Sequence, residues 1–253
     1  MGSEFKEVEK PFIEQLWRMG WTHTTGSIND PAKTERGGFS EVIQEAVLRR
    51  MLTAINLRDG RPWLDEGRLS EAVAAITRIA RPKLMEANQV ATELLLLGFT
   101  VDGLPDWDGG RGQTIRFIDW DCPTNNQFTV INQYRVDCPP GYNRGKGFIV
   151  LDLVLLVNGI PLVVVECKSP LIPEPLVDAV DQLRRYSNQR RASFEVEDNE
   201  GNEPLFYTNQ LLIVTSRDEA RAEPKAPWLA DFIELALHTG CRKDEPLGLE
   251  WSQ

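Results

Sequence analysis

Apolar positions recur at helical spacing through the first hundred residues of the chain. In the segment 8–20 they fall mostly three or four residues apart, at Val8, Phe12, Ile13, Leu16 and Met19. Such spacing predicts an amphipathic helix. It recurs in three further segments, at 40–56, 69–79 and 84–99. Ser40 and Ser70 are the expected N-caps, and Gly98 is the expected end of the last helix.

Short apolar runs replace the helical spacing after residue 113. They predict β-strands over 114–119, 128–136, 148–157, 160–167 and 205–216. The third and fourth of these strands are apolar on both faces, which is typical of a central sheet that is covered on both sides. A helix opened by Pro173 and Pro175 is expected to follow them through residues 176–189.

These elements predict an α/β fold, in which a mixed central sheet is flanked by helices. We expect a single domain over residues 8–228, with the helical residues 40–99 as a layer within it. Residues 1–7 are expected to be a tag or a disordered start, and residues 229–253 to form a C-terminal helix or junction.

The charge balance narrows the classes of function. The chain has 253 residues, with 28 Lys and Arg against 38 Asp and Glu, so its formal net charge is −10. This balance excludes a generally basic protein that coats nucleic acid, and contact with a phosphate backbone must use a local basic patch or metal ions. No run approaches the ~20 apolar residues that a membrane span needs, so no membrane partner is expected. The cysteines include no CxxC pair, which argues against structural zinc and fits a cytoplasmic location.

Three charged residues interrupt the two most apolar predicted strands. Asp152 lies inside the first strand, and Glu166 and Lys168 lie at the end of the second, two residues apart and therefore on one face. Burying these charges among valines is costly unless a partner compensates them. Mg²⁺, which prefers oxygen ligands, would compensate both carboxylates, and the lysine would then position a hydroxide or phosphate oxygen. This is the equipment of metal-assisted phosphodiester hydrolysis, and an internal ion pair is the alternative.

The turn between these strands decides whether the two acids can share an ion. If Asn158 and Gly159 form a simple two-residue turn, the positions of paired residues add up to an odd number, and Asp152 and Glu166 point to opposite faces. A shared ion requires an even sum, which a three-residue loop with a bulge would supply. We therefore predict the even register, with both carboxylates on the same face.

The helix that follows the strands adds polar candidates. Gln182 and Tyr186 are four residues apart, so they are neighbours on one helical face. Arginines lie among and after them, with no acidic residue from 182 to 192. They form the best local phosphate-binding patch in this acidic chain, at Arg184, Arg185, Arg190 and Arg191. A solvated helix face is the alternative for these arginines.

These segments resemble a known family. The run VLDLVLLVNGIPLVVVECKSP, followed by AVDQLRRYSNQ, is similar to the nuclease domain of the motor (R) subunit of type I restriction enzymes. The resemblance extends to PFIEQLWRMGW, VIQEAVLRRMLTAIN, ANQVATELLLLG and LFYTNQLLIVTS, and covers roughly residues 8–220. It implies the restriction-endonuclease-like PD-(D/E)xK fold with a Q-xxx-Y helix. The chain departs from the motif's name at Leu151, where the name has a proline.

The resemblance implies Mg²⁺-dependent cleavage of double-stranded DNA, with Mn²⁺ as an alternative ion. By residue matching, Asp152 and Glu166 become metal ligands, joined by the backbone carbonyl of Cys167. Lys168 becomes the catalytic lysine, and the glutamine and tyrosine of the following helix become the auxiliary motif.

Nucleases of this fold often supply another glutamate from their first helix. Glu14 and Glu9 both match that catalytic position, and the sequence does not choose between them. The resemblance also implies modification (M) and specificity (S) subunits as partners. ATP is expected to serve only the full-length subunit, whose translocase part is absent from this chain.

Two alternatives stay open at this point. One is a stand-alone repair or recombination nuclease of the same fold, and the other is a catalytically silent remnant that binds DNA or docks to a partner. The C-terminal stretch 229–253 is similar to the first active-site box of tyrosine recombinases, with Arg242 at the matching arginine. An amphipathic terminal helix over 229–238 is the preferred interpretation of that stretch.

Overall fold

Helices dominate the first half of the chain in the computed structural model, which describes residues 4–81, 83–139, 147–169, 171–188, 201–216 and 220–224. A π-helical turn, Phe5–Glu9, leads directly into the first α-helix. The α-helices are α1 (Lys10–Arg18), α2 (Glu45–Ile55), α3 (Glu66–Thr77), α4 (Leu84–Leu97), α5 (Pro105–Asp108) and α6 (Pro175–Tyr186). No helix in these ranges has the length and apolar character that crossing a membrane requires.

The strands build one mixed sheet and two short pairs. They are β1 (Thr22–Thr25), β2 (Leu57–Arg58), β3 (Arg61–Pro62), β4 (Phe99–Val101), β5 (Gln113–Ile115), β6 (Phe128–Asp137), β7 (Phe148–Val157), β8 (Ile160–Cys167), β9 (Leu211–Thr215) and β10 (Ala220–Pro224). The main sheet has the order β1-β6-β7-β8-β9-β10. β1 is parallel to β6 and β8 is parallel to β9, whereas the other neighbours are antiparallel. The predicted α/β fold with a mixed central sheet is confirmed.

Apolar side chains cover the central hairpin of β7 and β8 on both faces. Leu153 and Val165 pack into a cluster that includes side chains of α1, α2 and α3. Val154 and Val164 pack into a second cluster with Ala179 of α6. Because both faces are covered, any charge in this hairpin is taken out of water, as the apolar sequence of the two strands predicted.

Two helices begin at residues other than the predicted caps. α2 starts at Glu45 rather than after Ser40, because the chain first bends and the Gln44 N–H donates to the Gly159 carbonyl oxygen at 2.9 Å. α3 starts before Ser70, because the Asp65 side chain accepts a hydrogen bond from the Arg68 N–H at 2.9 Å and caps the helix there. The predicted end of α4 at Gly98 is confirmed, with φ at +79°.

Two strands are shorter than predicted, and five of the described strands, β1 to β4 and β10, were not predicted. The segment 114–119 is a strand only through Ile115. The segment 205–216 is a strand only as β9, because the Asn202 side chain accepts from the Leu205 N–H at 2.9 Å and caps a 3₁₀ turn over Glu203–Phe206. β1 was missed because its sequence, THTT, is polar and offers no apolar face.

The described part of residues 1–7 is not the disordered start that was predicted. Residues from Phe5 onward are helical, and the Glu4 side chain accepts a hydrogen bond from the Ser169 N–H at 3.0 Å. This contact holds the N-terminal turn beside the end of β8. The predicted C-terminal stretch 229–253 lies outside the described residues.

Candidate active site

A buried two-residue turn closes the hairpin of β7 and β8. Asn158 and Gly159 both have positive φ, at 53° and 81°, which is typical of a type I′ turn. The Asn158 side chain is fully buried and donates to the Phe117 carbonyl and to the Asn126 side chain, each at 2.8 Å. The predicted three-residue loop is therefore wrong.

A β-bulge inside the hairpin nevertheless produces the register that was predicted. β8 carries one extra residue, Leu162, between its paired positions, and the pairing shifts there. Beyond the bulge Leu153 pairs with Val165, and this register, continued by one residue, sets Asp152 opposite Glu166. The even register is confirmed, but its origin lies in the strand rather than in the turn.

The two acids are held in different ways. Asp152 Oδ2 accepts a hydrogen bond from the Cys167 N–H at 2.8 Å. Glu166 is 0% exposed, and its Oε1 accepts from Lys168 Nζ at 2.7 Å. Within the described ranges, Glu166 Oε2 is buried without a hydrogen-bond partner. Because an unpaired buried oxygen is costly, the lysine satisfies only half of this carboxylate.

Gln182 and Tyr186 extend the contacts of the lysine. Lys168 Nζ donates to Gln182 Oε1 at 2.8 Å, and Gln182 Nε2 donates to the Tyr186 hydroxyl at 2.9 Å. That hydroxyl lies 3.4 Å from the Val150 carbonyl oxygen of β7. A chain of hydrogen bonds thus runs from β7 through α6 to the ammonium group. The structure brings the predicted Asp, Glu, Lys, Gln and Tyr side chains to one place, and their catalytic roles stay a prediction.

Glu9, rather than Glu14, is the glutamate near α1 that joins this site. Its carboxylate lies within 4.8 Å of the carboxylates of Asp152 and Glu4, and the residue is only 3% exposed. The Glu14 side chain is 52% exposed and pairs with Lys10 at 3.6 Å. Five residues correspond to about 140° around a helix axis, so the two glutamates face different directions. The structure does not bring Glu14 to the site.

Glu4 belongs to the same group of carboxylates and was not predicted. It precedes the π-helical turn, and its hydrogen bond from the Ser169 N–H fixes it beside the residue that follows the lysine. It was missed because residues 1–7 were expected to be a tag or a disordered start, although Phe5 and Val8 continue the apolar spacing of the first helix.

Burial and mutual repulsion raise the pKa values of the acids. Burial, and then the charges of Asp152 and Glu4, raises the pKa of Glu9 to about 7. Burial is also the main reason why the pKa of Asp152 is raised and why that of Glu166 lies well above its usual value. Burial lowers the pKa of Lys168, but the carboxylates of Glu166, Asp152 and Glu4 together outweigh it and the net pKa is raised. The lysine is therefore cationic at neutral pH.

The predicted phosphate-binding arginines are only partly described. Arg184 is exposed on α6; because it is two residues from both Gln182 and Tyr186, it lies on the opposite side of the helix from them. Arg185 is half-buried, and its Nε lies 3.9 Å from Asp181 Oδ2. Arg190 and Arg191 lie outside the described residues. The described part of the patch therefore presents one exposed cation on the outer side of α6 and a second that is partly neutralised.

The donor atoms fit a divalent cation. Carboxylate oxygens are the ligands that Mg²⁺ and Mn²⁺ prefer, and four carboxylates meet here against one ammonium group. Among the described side chains, Glu9 and Glu166 each have a buried oxygen without a hydrogen-bond partner. Cys167 adjoins Glu166 at the end of β8, so its backbone lies next to both predicted ligands.

This α/β domain, with acids and a lysine at the end of a central hairpin, falls in a recognised class. The family model of the type I restriction enzyme R protein N terminus matches residues 1–223. The chain belongs to that family, and the resemblance seen in the sequence is confirmed.

Individual relatives agree with the family. Over 229 residues the chain is 28% identical to the putative type I restriction enzyme MjaIXP endonuclease subunit of Methanocaldococcus jannaschii, covering 89% of this chain and 20% of that protein. Over 219 residues it is 28% identical to the type I restriction enzyme HindI endonuclease subunit of Haemophilus influenzae, covering 85% and 18% respectively. The chain thus spans about a fifth of the length of these relatives.

Proposed function

We propose that this chain is the nuclease domain of a type I restriction R subunit. It has the PD-(D/E)xK fold and hydrolyses phosphodiester bonds of double-stranded DNA with Mg²⁺, or with Mn²⁺ in its place. One observation carries the proposal beyond family membership. Asp152, Glu166 and Lys168 converge at the end of the central hairpin, and hydrogen bonds tie the lysine to Gln182 and Tyr186.

Asp152 and Glu166 would hold the ion, with the backbone carbonyl of Cys167 as a further ligand. A divalent cation bound there favours deprotonation of water and stabilises negative charge on the phosphate. The Glu166 carboxyl supports this assignment, because its Oε2 is buried without a hydrogen-bond donor among the described residues and the carboxyl lies against that of Asp152, so that burial and then the Asp152 charge raise the pKa of Glu166.

Lys168 stabilises the charge that develops on the reacting phosphate. An ammonium group has three N–H donors, and Glu166 and Gln182 accept from two of them. Among the described residues no further acceptor takes the third donor, which would bind a phosphate oxygen. Gln182 and Tyr186 act as positioning residues, because Gln182 accepts from the amine and donates to the Tyr186 hydroxyl. Losing one such preorganised donor typically slows a reaction by about 10²–10³-fold.

The same proposal covers DNA binding, the partner subunits and the role of ATP. Arg184, exposed on α6, would contact the DNA backbone, with Arg185, Arg190 and Arg191 contributing to the same patch. M and S subunits would supply methylation and sequence recognition. ATP would serve the remainder of the full-length subunit rather than this domain.

Nicking of a supercoiled plasmid by the chain tests the proposal. We expect nicking with Mg²⁺ or Mn²⁺ and none with EDTA. Asp152→Asn and Lys168→Ala should each lower the rate by about 100-fold or more. Lys10→Ala is the matched control, because Lys10 is exposed on α1 and pairs only with Glu14 among its described contacts. Nicking that survives both site substitutions would refute the proposal.

The two alternative functions predict different experimental results. Metal-independent binding of duplex DNA without nicking indicates a catalytically silent remnant. Restriction by the full-length subunit, reconstituted with M and S subunits and abolished by Asp152→Asn, separates the restriction function from that of a stand-alone repair nuclease.

A further inference from the structure

A cleft with two tryptophans in its wall lies between the end of α1 and the edge strand β1. It measures about 560 Å³, and polar residues line it together with Trp17 and Trp21: Glu14, Thr22 and His23. Pockets for small ligands commonly measure about 300–1,000 Å³. The cleft therefore has room for a flat heteroaromatic ring and the sugar attached to it.

The two tryptophans are held differently. Trp21 is half-buried, and its ring packs edge-to-face on Phe128 with the ring centroids 5.1 Å apart. Its backbone N–H donates to the Leu16 carbonyl oxygen at 3.0 Å. Trp17 is 68% exposed, although an indole left in water is unfavourable. Trp21 thus gives the cleft a fixed wall, and a ligand that covers Trp17 would take its apolar face out of water.

The surroundings of Trp17 favour a small polar ring over a protein surface. In the described ranges, none of the other exposed large apolar side chains lines the cleft. A specific protein interface buries about 800 Å² on each partner around an apolar centre, and one tryptophan among polar side chains does not supply such a centre. A nucleobase has an apolar face that can stack on the indole and a polar edge that can meet the polar side chains of the cleft.

The first helix connects this cleft with the candidate active site. Glu9, Ile13 and Trp17 follow one another in steps of four residues, so each lies next to the one before it on the helix surface. Eight residues at about 1.5 Å each separate Glu9 from Trp17 by about 12 Å along the helix axis. This is the length of about three to four nucleotides of a stacked strand, at about 3.4 Å each. A DNA strand at the active site can therefore reach Trp17 within a few nucleotides.

We propose that this cleft binds an unpaired nucleobase of a DNA strand that extends from the active site, with Trp17 stacked on the face of the base. The proposal rests on the proposed function in that DNA is the substrate, but the binding requires neither a metal ion nor cleavage. Stacking gives little preference among the bases, because every base has an aromatic face. Glu14 lies 3.6 Å from Lys10, and this ion pair offsets the negative charge at the rim of the cleft.

Binding of single-stranded DNA in EDTA tests the proposal. Fluorescence anisotropy of a labelled oligothymidylate of about 20 nucleotides measures its affinity for the 253-residue chain. Trp17→Ala should weaken binding at least about fivefold, and Trp17→Phe, which keeps an aromatic face, should restore most of the affinity. Leu97→Ala, which removes a side chain that is 74% exposed on α4, is the matched control and should bind normally.

Photocross-linking identifies the contact itself. An oligonucleotide in which 5-iodouracil replaces thymine is irradiated in the presence of the chain, and mass spectrometry locates the attached residue. Because 5-iodouracil couples to an aromatic side chain that stacks on it, we expect an adduct at Trp17 that is missing in Trp17→Ala.

Three results would overturn the proposal. The unsubstituted chain could bind no single-stranded DNA, Trp17→Ala could bind it as tightly as the unsubstituted chain, or adducts could form only at other residues. If Trp17→Ala binds the oligonucleotide normally but no longer assembles with M and S subunits, the cleft is a protein-docking surface instead. Circular dichroism establishes that each variant is folded. If Trp17→Ala fails to fold, Trp17→Leu, which keeps an apolar side chain without an aromatic face, should show the same loss of binding.

The outcomes also separate this cleft from the proposed function. If Trp17→Ala loses single-strand binding but the unsubstituted chain never nicks DNA, the nuclease proposal is refuted and the cleft is kept. If the unsubstituted chain nicks DNA but Trp17→Ala binds single strands normally, the nuclease proposal is kept and the cleft is refuted.

Discussion

The choice between Glu9 and Glu14 shows what a single residue's position in the helical pattern can reveal. Glu9, Ile13 and Leu16 are spaced by four and three residues, so Glu9 continues the buried stripe of α1. A glutamate in line with an apolar stripe is the signal that identifies it. Glu14 falls on the polar face, beside Lys10, with which it forms an ion pair. The sequence alone could not settle the choice, because the π-helical turn before Lys10 changes the helical phase.

The raised pKa of Glu9 predicts a pH-dependent stability. Its pKa is about 7 in the folded chain against the usual 4.5, so the folded state binds this proton more tightly than the unfolded state. The resulting stabilisation is fully present below pH 4.5 and is lost as the pH rises through 7. Without divalent ions, the melting temperature should therefore fall between pH 5 and pH 8.

Thermal melts in EDTA, followed by circular dichroism, measure this dependence. Glu9→Gln cannot titrate and should flatten the slope, whereas Glu7→Gln should keep it. Equal slopes for Glu9→Gln and the unsubstituted chain would contradict the assignment of this titration to Glu9.

Neutralising Asp152 should stabilise the metal-free fold while removing its function. Asp152 lies among acids, and asparagine keeps an acceptor for the Cys167 N–H while it removes one negative charge. We expect Asp152→Asn to gain about 1 kcal/mol in EDTA at pH 8, or about 2–4 °C in melting temperature. Added Mg²⁺ should stabilise this variant less than the unsubstituted chain. A lower melting temperature of Asp152→Asn in EDTA would contradict the repulsion described for this cluster.

At the scale of elements, the hairpin of β7 and β8 shows why register is only partly predictable. A metal ion shared by Asp152 and Glu166 requires a register in which both carboxylates lie on the same face of the hairpin, and the structure has this register. The position of the bulge depends on tertiary contacts instead. The buried Asn158 side chain binds groups around residues 117 and 126, far away in the sequence. These contacts favour the tight turn, so the extra residue is accommodated at Leu162.

Alanine substitutions at two glycines measure how closely the chain around Gln44 packs against this turn. Gly159 and Gly60 both have positive φ, at 81° and 74°, so alanine is strained at either position by about 1 kcal/mol. A Cβ on Gly159 would also lie 2.8 Å from the Gln44 carbonyl oxygen, whereas one on Gly60 meets nothing within 4 Å.

Gly159→Ala should therefore cost about 1–3 kcal/mol more than Gly60→Ala. Urea unfolding of the two variants measures the difference. Equal losses would mean that α2 and the turn are not in the close contact described here.

At the scale of the whole molecule, the central sheet was predictable and its periphery was not. Two strands with apolar residues on both faces had to be covered on both sides, and both clusters are present. The edge strand β1 is stabilised by its pairing with β6. This long-range contact could not be predicted from a polar tetrapeptide. The same holds for Glu4, whose partner Ser169 is 165 residues away.

Because the whole molecule is acidic, we expect it to bind DNA through only a few cationic side chains. With a net charge of −10, the chain depends on a local patch, and each phosphate contact adds about 1 to the slope of log affinity against log salt concentration. Arg184→Gln should weaken duplex binding and reduce this slope by about 1. Fluorescence anisotropy in a Lys168→Ala background, which prevents cleavage, measures it. Arg78→Gln, exposed at the end of α3, is the control. An unchanged slope for Arg184→Gln would remove Arg184 from the DNA interface.

The central claim is that Asp152 and Glu166 hold a divalent ion at the end of the hairpin, next to the Lys168 ammonium group. Anomalous scattering from crystals of the chain soaked in MnCl₂ tests it most directly. We predict an anomalous peak about 2.0–2.2 Å from a carboxylate oxygen of both Asp152 and Glu166, with Lys168 still hydrogen-bonded to Glu166. Density that shows Glu166 bound only to Lys168 at saturating Mn²⁺, with no peak beside it, would contradict the claim.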